Sequence, residues 1–121
     1  MVNAHEGVGT LVVLAYLLLV VLNLVNLFSG RSFGWQRAVS YIAALLLLIQ
    51  YILGFTLLGK HYHITAAHYI IALVAILTVG LEHGYANQRP TERDRAMMRT
   101  VANVSTLILV AVAYAIGMAN A

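Results

Sequence analysis

Cysteine is absent from this chain, and proline occurs once, at Pro90. Without a thiol there is no disulfide, no thiol nucleophile, no iron–sulfur cluster and no haem tethered through a CxxCH motif. With the single proline outside the apolar stretches, no long helix is expected to carry a proline kink. Charge is scarce too: Asp, Glu, Lys and Arg make up 9% of the 121 residues, where soluble domains carry about a quarter. Hydrophobic residues fill 62% of the chain, and the mean hydropathy is +0.88. This composition excludes an ordinary soluble domain and points to an integral membrane protein. A net charge of +3 would suggest nucleic acid in a soluble chain. Here the basic residues flank apolar segments, where they act as topology signals, and no nucleic-acid partner is expected.

Four apolar segments stand close to the ~20 residues needed to cross a bilayer core. They run over 8–28, 39–58, 64–81 and 101–118. Residues 1–121 therefore read as a single all-α transmembrane domain, an up-and-down four-helix bundle whose short connections make consecutive helices antiparallel neighbours. The opening stretch lacks the basic start and small-residue cleavage site of a signal peptide, so it is expected to stay as the first span. Arg31 and Arg37 follow the first span, and Arg89, Arg93, Arg95 and Arg99 follow the third, while Lys60 alone lies on the other side. The positive-inside rule then makes loops 29–38 and 82–100 cytoplasmic and both termini external, in a bacterial-type inner (plasma) membrane. Thr91, three residues before Asp94, reads as a capping box opening the last helix, and Pro90 ends what precedes it.

Polar groups facing lipid are costly, so helical stripes that carry them should face the bundle interior. On the first helix His5, Gly9, Val12, Tyr16, Leu19, Asn23 and Asn26 recur at three- and four-residue steps. Gly9, one turn from His5, leaves room for a flat macrocycle or for close helix approach. The second helix offers Ala43, Gln50 and Gly54, with Tyr51 beside them. Gln50, in mid-membrane, requires a hydrogen-bond partner and serves either a ligand or helix–helix cohesion. The third shows His68, Ala72, Ala75 and Val79, and the fourth Asn103, Thr106, Ala113 and Gly117.

The histidines carry the chemistry. His68 and His83 share the third span, roughly 22 Å apart and about 60° apart around a regular helix axis. A neutral imidazole inside the membrane has one donor and one acceptor nitrogen to satisfy. At His68 a metal or haem iron would take the acceptor, or Gln50, Tyr51 or a backbone carbonyl would provide hydrogen bonds. His5 opens the first helix at the same membrane face and can ligate one iron from the side opposite His68. Alternatively it is an exposed terminal residue without a role. His61 and His63 lie in the short outer turn and could replace His5 or bind a surface metal. His83, at the inner rim beside Glu82, would need Met97 or Met98 as partner, or a vacant position, to hold a second haem.

The sequence HEGVG entering helix one, His68 in the outer turns of helix three, His83 at its inner end and the basic loop that follows together resemble the four-helix membrane b-type cytochromes of the cytochrome b561 kind. The resemblance implies one haem b or two between histidine pairs, electron transfer across or along the membrane, and a quinone or redox protein as partner. Helices two and four of this chain contain no histidine.

The first functional reading is therefore a membrane b-type cytochrome with at least one haem, held by His68 and His5 near the outer face. Gly9, Tyr16 and Gln50 line its cavity, and His83 is the candidate for a second haem. There is no nucleophile–base set or buried carboxylate pair, so electron transfer, alone or as a subunit of an oxidoreductase, is expected rather than bond-making catalysis. The alternative is a non-catalytic subunit bracing a larger respiratory or photosynthetic complex, or a homo-oligomer in the lipid. A transporter ranks last, because no charged residue lies well inside a span and no helix is expected to break.

Overall fold

In a computed structural model of the chain, described for residues 2–31, 33–60 and 64–119, four long helices form the whole architecture. They are α1 (Val2–Ser29), α2 (Gln36–Gly59), α3 (Ala66–Gly80) and α4 (Glu92–Ala119). A wide π turn, Leu81–Tyr85, and a 3-10 turn, Ala86–Gln88, extend α3. Counted through Gln88, the third helical stretch is long and apolar enough to cross a membrane, as are the other three.

The helices begin and end for local reasons. α1 starts at Val2, ahead of the apolar run, because Asn3, His5 and Glu6 remain helical. It stops where Gly30 takes φ +72 and its N–H reaches the Asn26 carbonyl at 3.1 Å. A left-handed glycine closes a helix there at no steric cost. Before α4, Arg89 is held extended, as the residue preceding a proline must be. The Asp94 N–H then donates to the Thr91 hydroxyl at 3.1 Å, the N-cap bond that the sequence anticipates. α4 thus begins nine residues before the expected span, and Arg93, Arg95 and Arg99 lie on its first turns instead of in a loop.

Helix direction alternates. His5, near the start of α1, lies against Gly54, near the end of α2, and His68, near the start of α3, lies against Gly117, near the end of α4. α1 packs against α2 and α4, and α4 also packs against α3. One expectation needs correction: α2 and α3, although consecutive, make scarcely any close backbone approach among the described residues. The Tyr51 hydroxyl of α2 reaches across to donate to the Ala72 carbonyl of α3, and Ser40 of α2 donates to Glu82 just beyond the end of α3. The ring therefore closes loosely on that side.

The core follows the anticipated α1 stripe. Val12, Tyr16, Leu19 and Asn23 are at most 1% exposed, and Ala43, Ala75 and Asn103 are fully buried. Buried alanines and the Thr78–Thr106 hydroxyl pair at 2.6 Å bring the helices close. Such contacts favour helix association where lipid removes the hydrophobic drive. Leu77, Ile70 and Phe55, all more than half exposed, point outward, as lipid-facing residues of an embedded bundle would.

Candidate functional site

At the end of the bundle that holds both termini, the histidines of α1 and α3 converge. The ring centres of His5 and His68 are 6.3 Å apart, with planes crossed at 70°. His68 is set by its Nδ1, 2.8 Å from the Ala113 carbonyl of α4. If Nδ1 carries the proton, Nε2 is left as the lone-pair atom. His5 Nδ1 is buried with no hydrogen-bond partner, and the Gln50 main chain lies next to the same ring. Glycines back both imidazoles: a β-carbon at Gly54 would stand 3.2 Å from His5 Cε1, and one at Gly117 would stand 3.5 Å from His68 Cε1.

A cavity of about 460 Å³ surrounds the pair, within the few hundred to a thousand Å³ of small-molecule sites. All four helices line it, and its walls are mostly apolar, with Leu47, Tyr51, Phe55, Leu73 and Val110 among them. Phe55 and Leu73 are exposed on the outside as well, so the cavity borders the open α2–α3 seam.

The other sequence candidates are placed as follows. Gly9 lines the cavity, but the space beside it is taken by the Gln50 amide and the Tyr114 ring, at 2.9 and 3.2 Å from where a β-carbon would lie. It therefore permits close helix packing at that level rather than an empty slot. Gln50 reaches α1 in this way, and its Oε1 has no hydrogen-bond partner. Tyr16 is fully buried in the core, away from the cavity lining, with its hydroxyl unpartnered. His61 and His63 lie outside the described residues.

His83 is at the opposite end, stacked on Tyr41 with ring centres 5.3 Å apart. Its Nε2 lies 3.4 Å from Ser40 Oγ and 3.6 Å from Glu82 Oε1. Glu82, only 3% exposed, accepts a hydrogen bond from Ser40. This group lines a second cavity of about 420 Å³ together with Asn23, Asn26 and Gln36. Sequence reasoning placed Glu82 at a rim and missed its burial. The signal was there in the stripe from Tyr16 to Asn26, too polar at its inner end for a purely apolar core.

Could the outer pair hold a haem? Two metal–imidazole bonds of about 2.0 Å each, with the half-width of each ring added, come to roughly 6 Å between ring centres, close to the spacing observed. Among the described residues no group of three or more His, Cys, Asp or Glu gathers to hold a bare ion. Two neighbouring imidazoles, their ring centres 6.3 Å apart, instead suit a metal whose remaining ligands arrive with it, as a porphyrin's do. The donor set, the orphaned His5 nitrogen and the apolar walls fit that group.

No curated protein and no solved structure matches the chain. A family described as "protein of unknown function" (DUF2463) matches residues 8–121, nearly the whole chain and every helix, and the chain belongs to that family.

Proposed function

We propose that the protein is a small membrane cytochrome that carries electrons through one b-type haem held between His5 and His68. The observation that carries this reading is the approach of the two imidazoles, ring centres 6.3 Å apart in an apolar cavity, with the His68 ring held by the Ala113 carbonyl. The haem would supply one-electron redox chemistry. The chain's own part is to present two neutral imidazoles, hold His68 in one tautomer and keep water away from the iron's surroundings.

The α2–α3 seam offers lateral access, which suits a lipid-soluble partner such as a quinone, or a redox protein in the membrane. His83 is engaged by Tyr41, Ser40 and Glu82, so the proposal holds one haem and not two. The positive-inside rule, applied to the arginines near the start of α2 and on the first turns of α4, supports a cytoplasmic setting for that end and an outer one for the histidine pair.

A redox difference spectrum of the purified protein, with pyridine haemochrome quantitation, tests the reading. The expected result is one haem b per chain with a reducible Soret band. A colourless protein that takes up no added haemin would overturn it and leave the role of a bracing subunit.

A further inference from the structure

The cavity at the arginine-rich end has its own chemistry, independent of the histidine pair. Its floor is made of side chains at least nine-tenths buried: Asn23 at 1% exposure, Glu82 at 3%, Asn26 at 7% and Ser40 at 8%. Three of these carry atoms with no hydrogen-bond partner. They are the acceptors Glu82 Oε1, which His83 Nε2 approaches only to 3.6 Å, and Asn26 Oδ1, and the donor Asn23 Nδ2. Ser40 and Gln36 satisfy only the other halves of Glu82 and Asn23. A buried carboxylate oxygen and an amide oxygen left without partners are expensive and ask for a ligand that brings N–H donors, while the Asn23 Nδ2 donor asks for an acceptor oxygen on the same ligand.

The mouth has the opposite character. Arg37, Arg95 and Arg99 line it. Arg95 and Arg99 are held by Glu92 at 2.9 and 3.7 Å, and Arg37 by the Tyr41 hydroxyl at 3.4 Å. Three guanidiniums over one surface carboxylate leave net positive charge at the entrance. The complementary ligand is therefore dipolar, with donors on its inner end and an anionic group on its outer end.

We infer that this cavity binds a phosphoethanolamine group, its ammonium on Glu82 and Asn26 and its phosphate among Arg37, Arg95 and Arg99. A primary ammonium carries three donors, enough for both orphaned acceptors. A phosphate oxygen is the preferred partner of guanidinium groups. The same group can arrive as a phospholipid headgroup or as a free soluble ester.

Both sources are separable in one experiment on the full chain. The protein is placed in nanodiscs of phosphatidylcholine containing a minor fraction of phosphatidylethanolamine, released into mild detergent, and its retained lipid is read by native mass spectrometry. Glycerophosphoethanolamine is added in a parallel arm as a soluble competitor. Phosphatidylethanolamine should be retained about tenfold over phosphatidylcholine, whose quaternary nitrogen has no N–H to donate. Competition by the soluble ester would assign the free group, and retention without competition would assign the lipid. Glu82→Gln should remove the preference between the two lipids, and Arg95→Ala with Arg99→Ala should lower retention of both. Equal retention of the two lipids by the native chain, with no binding of the soluble ester, would overturn the inference without recourse to any variant. So would an unchanged preference in a Glu82→Gln protein that elutes as the native protein does.

Discussion

Gly54 of α2 lies so close to His5 of α1 that a β-carbon at position 54 would stand 3.2 Å from the imidazole Cε1. That is tighter than ordinary packing, so the ring keeps its place because the neighbouring residue has no side chain. Gly54→Ala should make His5 shift by a few tenths of an ångström, and Gly54→Val should drive it out of line with His68. Overpacking of this kind costs on the order of 1–3 kcal/mol. Haemin titration should show a roughly fivefold or greater loss of affinity for the alanine variant, each 1.4 kcal/mol being tenfold. A bis-histidine spectrum should be missing from the valine variant.

His68→Ala should abolish haem binding, and His5→Ala should leave a five-coordinate, weakly held haem. The asymmetry arises because the Ala113 carbonyl, 2.8 Å from Nδ1, fixes the His68 ring, while His5 Nδ1 has no hydrogen-bond partner. Haem content and the spin state in the visible spectrum read the difference. Full haem content in the His68→Ala protein would sink the assignment.

The seam between α2 and α3 hangs on Tyr51, whose hydroxyl donates to the Ala72 carbonyl. Tyr51→Phe should cost about 0.6–1.7 kcal/mol, the range for hydrogen bonds between membrane helices. Reversible unfolding in detergent gives the stability. Faster exchange of a cavity-bound apolar probe should accompany the loss, because the same bond restrains the side on which the cavity opens.

Thr91→Ala should remove the N-cap of α4 and cost about 1 kcal/mol. The 3.1 Å bond from Asp94 N–H to the Thr91 hydroxyl has no substitute among the bonds seen at that helix start. Helix content should fray at residues 92–95, and amide exchange would locate it there.

Orientation can be read with a single reporter, because the chain has no native cysteine. Gly34→Cys, in the exposed α1–α2 connection, should react with an impermeant maleimide in inverted vesicles and not in intact cells. The reverse pattern would turn the bundle over.

Much of this fold is legible in the sequence. Four runs of aliphatic residues announce four helices, and polar residues at three- and four-residue steps pick out the α1 face that is buried, from Gly9 to Asn26. Helix ends are less legible, because α1 and α4 continue through polar residues that hydropathy treats as loop. The separation of α2 from α3 was not legible at all, since it depends on which side chains meet between helices far apart in sequence. The level at which His5 and His68 meet follows from their positions near helix starts on one side of the bundle. That their rings come within 6.3 Å of one another is legible only in the structure. The burial of Glu82 is only partly legible: the polar inner end of the α1 stripe signals a polar partner there, but its identity depends on which helices meet.

The π turn lies at the exit of α3, where the Ala86 N–H reaches back to the Leu81 carbonyl across five residues instead of four. The segment therefore holds one residue more than a regular coil of the same height would. Deleting Gly84 should remove that extra residue and let the coil tighten to its usual winding, with the residues on either side of the segment kept near their present angles. Glu82 and His83 would then be re-aimed relative to Ser40, while His5 and His68, at the far end, would keep their places. The spare residue lies on the stretch that carries Glu82 and His83 and far from the other pair of histidines, so its removal is a change confined to one end of the molecule.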